Sequence, residues 1–237
     1  MSAKVFDKQT GLASETEAMT VQGTVNKTAL MLIILLLPAL YTWNLYFSGG
    51  HVTAFIWGGA IAGLVLAVVT VFKKEWSPVT APAYAVCEGL FLGALSAMFE
   101  AQYTGIAIQA VALTFGTLAS LLLAYRTGLI VVTENFRKGV IAATGAIALV
   151  YFLNFILSMF GISMPYLHSN GLIGIGISLV IVVVAALNLV LDFDFIQRAA
   201  EQNLPKYMEW FGAFGLIVTL VWLYIEFLRL LSKIRSR

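Results

Sequence analysis

Residues 172–191 read LIGIGISLVIVVVAALNLVL, a run without a single charge, in which only Ser178 and Asn188 carry a polar side chain. Wound as an α-helix, a stretch of this length rises about 30 Å, the thickness of a bilayer's hydrocarbon core. A strand suits it poorly. The run lacks the alternation of a membrane barrel, and an open strand would leave its backbone groups unpaired in lipid. Residues 172–191 therefore read as a membrane-crossing helix.

Similar runs lie on both sides, at 28–47, 52–72, 83–99, 105–125 and 140–160 before it and at 211–231 after it. Each approaches the roughly 20 residues that a crossing needs. The chain has 237 residues, 60% hydrophobic and 11% charged, whereas soluble domains carry about a quarter charged residues. No stretch is left over for a soluble domain. The expected fold is all-α, a polytopic seven-transmembrane-helix bundle. Its expected divisions are a polar cytoplasmic N-terminal arm (1–27), the transmembrane domain (28–231) and a basic C-terminal tail (232–237). The arm has neither an apolar core nor a small-residue cleavage site, so the first span is expected to act as its own insertion signal. Short connectors with turn residues, such as Ser48-Gly49-Gly50 and Asn203 to Pro205, predict antiparallel neighbours.

Basic residues set the orientation. Lys4, Lys8 and Lys27 precede the first span. Lys73 and Lys74 lie in the second connector, Arg126, Arg137 and Lys138 in the fourth, and Arg198 and Lys206 in the sixth. The odd connectors have none, which places the N-terminus in the cytoplasm. The end of the chain disagrees, because Arg229, Lys233, Arg235 and Arg237 would then lie outside. Either the seventh segment crosses regardless or it re-enters; its full apolar length favours a crossing. Net charge is only +2 and the cations are confined to loops and tails, so no nucleic-acid face is expected. Gly59 and Gly63, Gly89 and Gly93, and Gly212 and Gly215 have the spacing that lets helices approach closely in lipid. The lone Cys87 reads as a small packing residue.

Charged groups at membrane depth are costly and usually functional. Glu88 falls in the third span, Asp192 and Asp194 close the sixth, and Glu226 lies in the seventh. Asp192 and Asp194 are about 200° apart around a helix, so they face opposite ways. Each has a local partner by spacing: Asn188 with Asp192, Asp194 with Arg198, Glu226 with Arg229. Glu88 could instead make a buried hydrogen bond to a neighbouring helix. His51 and His168 lie near connectors and read as exposed loop residues.

Leu191-Asp192-Phe193-Asp194-Phe195-Ile196-Gln197, followed by Leu223-Tyr224-Ile225-Glu226-Phe227, resembles the last two helices of the Bax inhibitor (transmembrane Bax-inhibitor-motif) family, its bacterial members above all. Glu88-Gly89-Leu90-Phe91-Leu92-Gly93, Tyr125 to Gly128 and Phe136 to Gly139 are similar to the same relatives. The resemblance implies a pH-sensitive passive calcium leak channel gated by an intramembrane carboxylate pair, here Asp194 and Glu226, with Asp192 and Glu88 as further ion-pathway candidates. Two such carboxyls sharing a proton form a latch, and its loss turns attraction into repulsion. Ionised, Asp194 and Glu226 would offer Ca²⁺ the hard oxygen ligands it prefers. Ca²⁺ is then a permeant ion, and no resident cofactor is expected. Three features depart from the family pattern. The second acid is Glu, the connection between the acids is longer, and the second span lacks the family's arginine.

Two other functions fit the same residues. One is a membrane-embedded regulator binding a membrane protease or stress partner through the arm 1–27. The other is a proton-coupled transporter. An enzyme is not expected, since H-E-x-x-H, G-x-S-x-G and a phosphate-cradling glycine loop are all missing. The lipid bilayer is the one partner the composition itself demands; the setting implied is a bacterial inner membrane, and the oligomeric state is open.

Overall fold

A computed structural model describes residues 18–161 and 171–236. Most of the polar arm, His168 and Arg237 lie outside the described residues. The helices are α1 (Val21–Phe47), α2 (Thr53–Phe72), α3 (Ser77–Gln102), α4 (Ile106–Arg126), α5 (Glu134–Met159), α6 (Leu172–Glu201) and α7 (Met208–Arg235), with one 3-10 turn, Lys74–Trp76, before α3. All seven are long and apolar enough to cross a membrane. The seven-helix expectation holds among the described residues.

The helices outrun the apolar runs from which they were predicted. α1 begins at Val21, so Val21 to Lys27 of the polar stretch are helical, and α6 continues past Leu191 to Glu201. Beyond the hydrocarbon a helix continues until its backbone is capped, whatever its side chains. Thr20 caps α1 by accepting from the Gly23 amide at 2.9 Å, and Thr133 caps α5 by accepting from Phe136 at 3.2 Å. α7 is one unbroken helix of 28 residues. Re-entry would require a reversal inside it, and its length and apolar character are sufficient for a crossing.

The described residues pack as two compact units: those up to Ala94 with Asp194–Ile217, and those of Leu95–Phe193 with those from Val218 onward. α3, α6 and α7 each give a part to both.

In the first unit, glycines bring three helices together. A Cβ at Gly89 would overlap the Leu35 carbonyl of α1, one at Gly93 the Ala39 carbonyl, and one at Gly59 would stand 2.7 Å from the Cys87 carbonyl of α3. Packing contacts of this kind hold helices together where the hydrophobic effect between them is absent. Pro38 interrupts α1, and Thr42 turns its hydroxyl back to the Pro38 and Ala39 carbonyls, both at 3.2 Å. Thr70 of α2 donates to Thr80 of α3 at 2.7 Å, and Tyr84 meets Phe214 edge-on at 5.1 Å between ring centroids.

In the second unit the α3–α4 turn passes through Gly105 at φ +81°, a left-handed conformation that glycine adopts without strain. Glu100 accepts from the Gly105 and Ala107 amides and so caps α4 with negative charge. α6 and α7 run antiparallel. Lys233 of α7 reaches the Gly174 carbonyl at 3.1 Å and Ser178 Oγ at 2.8 Å, and Asp192 is hydrogen-bonded to Thr219. Leu123, Leu149 and Phe152 are exposed on the outer faces, the surface that lipid covers.

Candidate functional site

Glu226 is the most deeply enclosed acid of the second unit, only 1% exposed. Its Oε1 accepts from the Tyr151 hydroxyl of α5 at 2.9 Å and from Arg229 Nη1 at 3.0 Å. Arg229 Nη1 also donates to Tyr151 at 3.1 Å, and the guanidinium stands 5.3 Å from that ring's centroid. The three groups close a triangle joining α5 to α7. The spacing of Glu226 and Arg229 predicted their ion pair; Tyr151, in a different helix, gave no sequence signal. A carboxylate has about four lone-pair sites, yet Glu226 Oε2 is buried without a hydrogen-bond partner among the described residues. A charged acid in this state has capacity left for a proton or a cation.

Asp192 is in the same condition one level away. Thr219 serves the carboxyl, and Oδ2 is buried without a hydrogen-bond partner among the described residues. Opposite Thr219, Asp192 lies seven residues of α7 from the level of Glu226, roughly 10 Å by helical rise. Asn188 does not take the Asp192 partnership that its spacing suggested. Its amide donates to Thr144 Oγ1 of α5 and to the Val184 carbonyl, both at 2.8 Å. Ser96 and Tyr224 share a 2.6 Å hydrogen bond between α3 and α7.

The basic end of α7 is tied down within this unit. Besides Lys233, Arg235 donates to the Thr104 carbonyl at 2.7 Å and to Gln109 Oε1 at 2.9 Å. The cations that opposed an outward tail are thus bonded to backbone and side-chain oxygens, which offsets part of their cost.

In the first unit, Asp194 is buried at 7% exposure and accepts from Arg198 Nε at 2.9 Å, the i,i+4 pairing that its position predicted. Asp192 belongs to the second unit, with Thr219 as its partner, and Asp194 to the first, with Arg198. Glu88 bonds Tyr84 of its own helix rather than a neighbouring helix. It lies under Gly63 of α2, where a Cβ would come within 3.0 Å of its Oε1, and its Oε2 has no hydrogen-bond partner among the described residues.

Glu209, which sequence reasoning passed over, is the most heavily bonded acid of the first unit. It is fully buried. Thr20 donates to Oε1 through its amide at 3.0 Å and its hydroxyl at 2.9 Å. Lys206 pairs with Oε1 at 2.8 Å and Lys27 with Oε2 at 2.9 Å. Gly23 makes the room, since a Cβ there would overlap the carboxylate. Lys206 and Glu209 at i,i+3 read as an interfacial pair, and the burial comes from α1. His51 lies exposed in its connector, and among the described residues no three His, Cys, Asp or Glu converge on a metal site.

The sequence matches the family described as Bax inhibitor 1 like over residues 2–236, which spans all seven helices. No curated protein matches the chain at significance.

Proposed function

Because the chain belongs to the Bax inhibitor 1-like family and folds as seven membrane-length helices, we propose that it is a passive Ca²⁺ leak pathway. Protons on its intramembrane carboxylates set its conductance. We place it in a cytoplasmic membrane with the N-terminus inside, following its basic residues.

The observation that carries this reading is the Glu226 carboxylate, buried with one oxygen bonded to Tyr151 and Arg229 and the other without a hydrogen-bond partner among the described residues. Intramembrane acids in this condition mark ion or proton paths more often than simple structure. The triangle with Tyr151 and Arg229 supplies a proton-sensitive joint. An ionised Glu226 attracts Arg229 and accepts from Tyr151; a protonated one loses the ionic part of that attraction and loosens α5 from α7. Asp194 is buried in the first unit and paired with Arg198 within α6, and we assign Asp194 and Glu226 the roles of the family's two gating acids. In the second unit, Glu226 and Asp192 each hold a buried hard oxygen with no hydrogen-bond partner among the described residues, a donor type suited to a Ca²⁺ ion that passes without staying.

Purified protein in liposomes, loaded with a Ca²⁺ indicator and compared at mildly acidic and mildly alkaline pH, tests the proposal. Wild type should admit Ca²⁺ without a counter-solute and with a rate that depends on pH. Glu226→Gln and Asp194→Asn should each flatten that dependence. Absence of flux, or an unaltered pH response in both variants, would refute it.

A further inference from the structure

Between α5 and α6 in the second unit lies a cavity of about 490 Å³, within the roughly 300–1,000 Å³ typical of ligand sites. Ala146, Ile147, Gly176, Ile177 and Val180 line it, and Tyr151 brings the only polar side chain. Ala146 and Gly176 create the space because their side chains are the smallest available. A Cβ at Gly176 would meet nothing within 4 Å. Val180 and Ile173, also in the lining, are 61% and 62% exposed, so the groove opens on the face that lipid covers.

At its Tyr151 end the groove meets positive charge. The Arg229 guanidinium lies over the Tyr151 ring and bonds through Nη1. Nε and Nη2 have no hydrogen-bond partner among the described residues, and the side chain is 45% exposed. Arg229 is six residues from the end of α7, close enough for a long side chain to reach the headgroup region. Lys233 of α7, bonded to α6 at Gly174 and Ser178, brings a second cation to a helix that lines the groove.

We propose that this groove holds an acyl chain of an anionic phospholipid whose phosphate is bound by the open edge of Arg229, and that the seated chain presses Tyr151 against Glu226. The second half rests on the function proposed above; the binding itself does not. The apolar lining rejects a polar solute, and a plain hydrocarbon would leave the guanidinium edge unused. A guanidinium offers paired N–H donors matched to phosphate oxygens. Only a molecule with both parts satisfies the groove and the cation together.

The test uses the full chain in liposomes containing phosphatidylglycerol or phosphatidylcholine with a photoactivatable group in one acyl chain, followed by peptide mapping. Labelling by the phosphatidylglycerol probe should concentrate on residues 146–151 and 173–181, exceeding that at exposed Leu36 or Leu113 by roughly fivefold or more. Gly176→Leu, for which the fold has room, should remove the excess, and Arg229→Gln should remove the preference for phosphatidylglycerol. Uniform labelling, or labelling unchanged in Gly176→Leu, would overturn the site. So would inorganic phosphate protecting Arg229 from a guanidine-directed reagent when no groove labelling occurs, which would assign the cation to free phosphate. Labelling needs no ion flux, so a failure of the leak reading leaves this result legible. A labelled groove with a Gly176→Leu flux response identical to wild type would overturn the link to Glu226.

Discussion

The Tyr151 hydroxyl donates to Glu226 across 2.9 Å although the two residues are 75 positions apart in the chain. Arg229 touches both, so the three form one unit, and removing any member leaves the others incompletely satisfied. Such networks are non-additive.

Tyr151→Phe should lower stability in detergent by about 1–3 kcal/mol, the cost of leaving a buried charged acceptor without its donor. In the Glu226→Gln background the same change should cost less, because the acceptor charge is already gone. A double-mutant cycle from thermal or denaturant unfolding measures the difference. Strict additivity would mean that the hydrogen bond carries no coupling.

Gly23 and Gly58 make a matched pair. Both are helical, but a Cβ at Gly23 overlaps the Glu209 carboxylate and one at Gly58 meets nothing. Gly23→Ala should therefore destabilise by about 1–3 kcal/mol through overpacking, while Gly58→Ala should be neutral or gain up to about 1 kcal/mol from helix propensity. Equal melting temperatures for the two variants would contradict the seating of Glu209.

Glu209→Gln removes the charge that Lys27 and Lys206 share and weakens the acceptor for both Thr20 donors. Hydrogen bonds to a charged group contribute roughly 1.5–3 kcal/mol each before screening at the two partly exposed lysines. The loss should fall on the start of α1. Amide exchange at residues 20–27 should accelerate selectively, with residues 84–94 of α3 as the unaffected reference. Uniform acceleration would show Glu209 to be a general stability element instead.

The helices were legible because a bilayer imposes one demand, about 20 apolar residues per crossing, that any single span reveals. Their true ends were less so. Val21 to Lys27 belong to the polar N-terminal stretch yet are helical, and Thr20 caps that helix. Among the acids, Asp194 with Arg198 and Glu226 with Arg229 were readable from i,i+4 and i,i+3 spacing, for helix geometry alone brings such pairs together. Tyr151, Thr219 and Thr20 were not, because their contacts depend on which faces of separate helices meet. Glu209 was overlooked for the same reason. Its sequence neighbourhood is that of an interfacial charge, and only Gly23 on another helix lets it become buried.

The course of α7 yields the last prediction. The helix has 28 residues, about 42 Å of rise against roughly 30 Å of hydrocarbon. Its first turn is tied through Glu209 to Thr20 at the start of α1, so both helices enter from one side of the membrane. Its last turn bonds Thr104 in the turn between α3 and α4. Cys87 is the sole cysteine, so Cys87→Ser gives a background in which Gln202→Cys and Ser236→Cys can be introduced separately. A membrane-impermeant maleimide should label the Gln202→Cys protein only from the cytoplasmic side and the Ser236→Cys protein only from outside. Neutralising Lys233 and Arg235 should leave that result unchanged, since it removes cations that oppose an outward tail. Labelling of both cysteines from one side would mean that α7 does not cross. Glu226 could not then stand at membrane depth, and its part in an ion pathway would have to be abandoned.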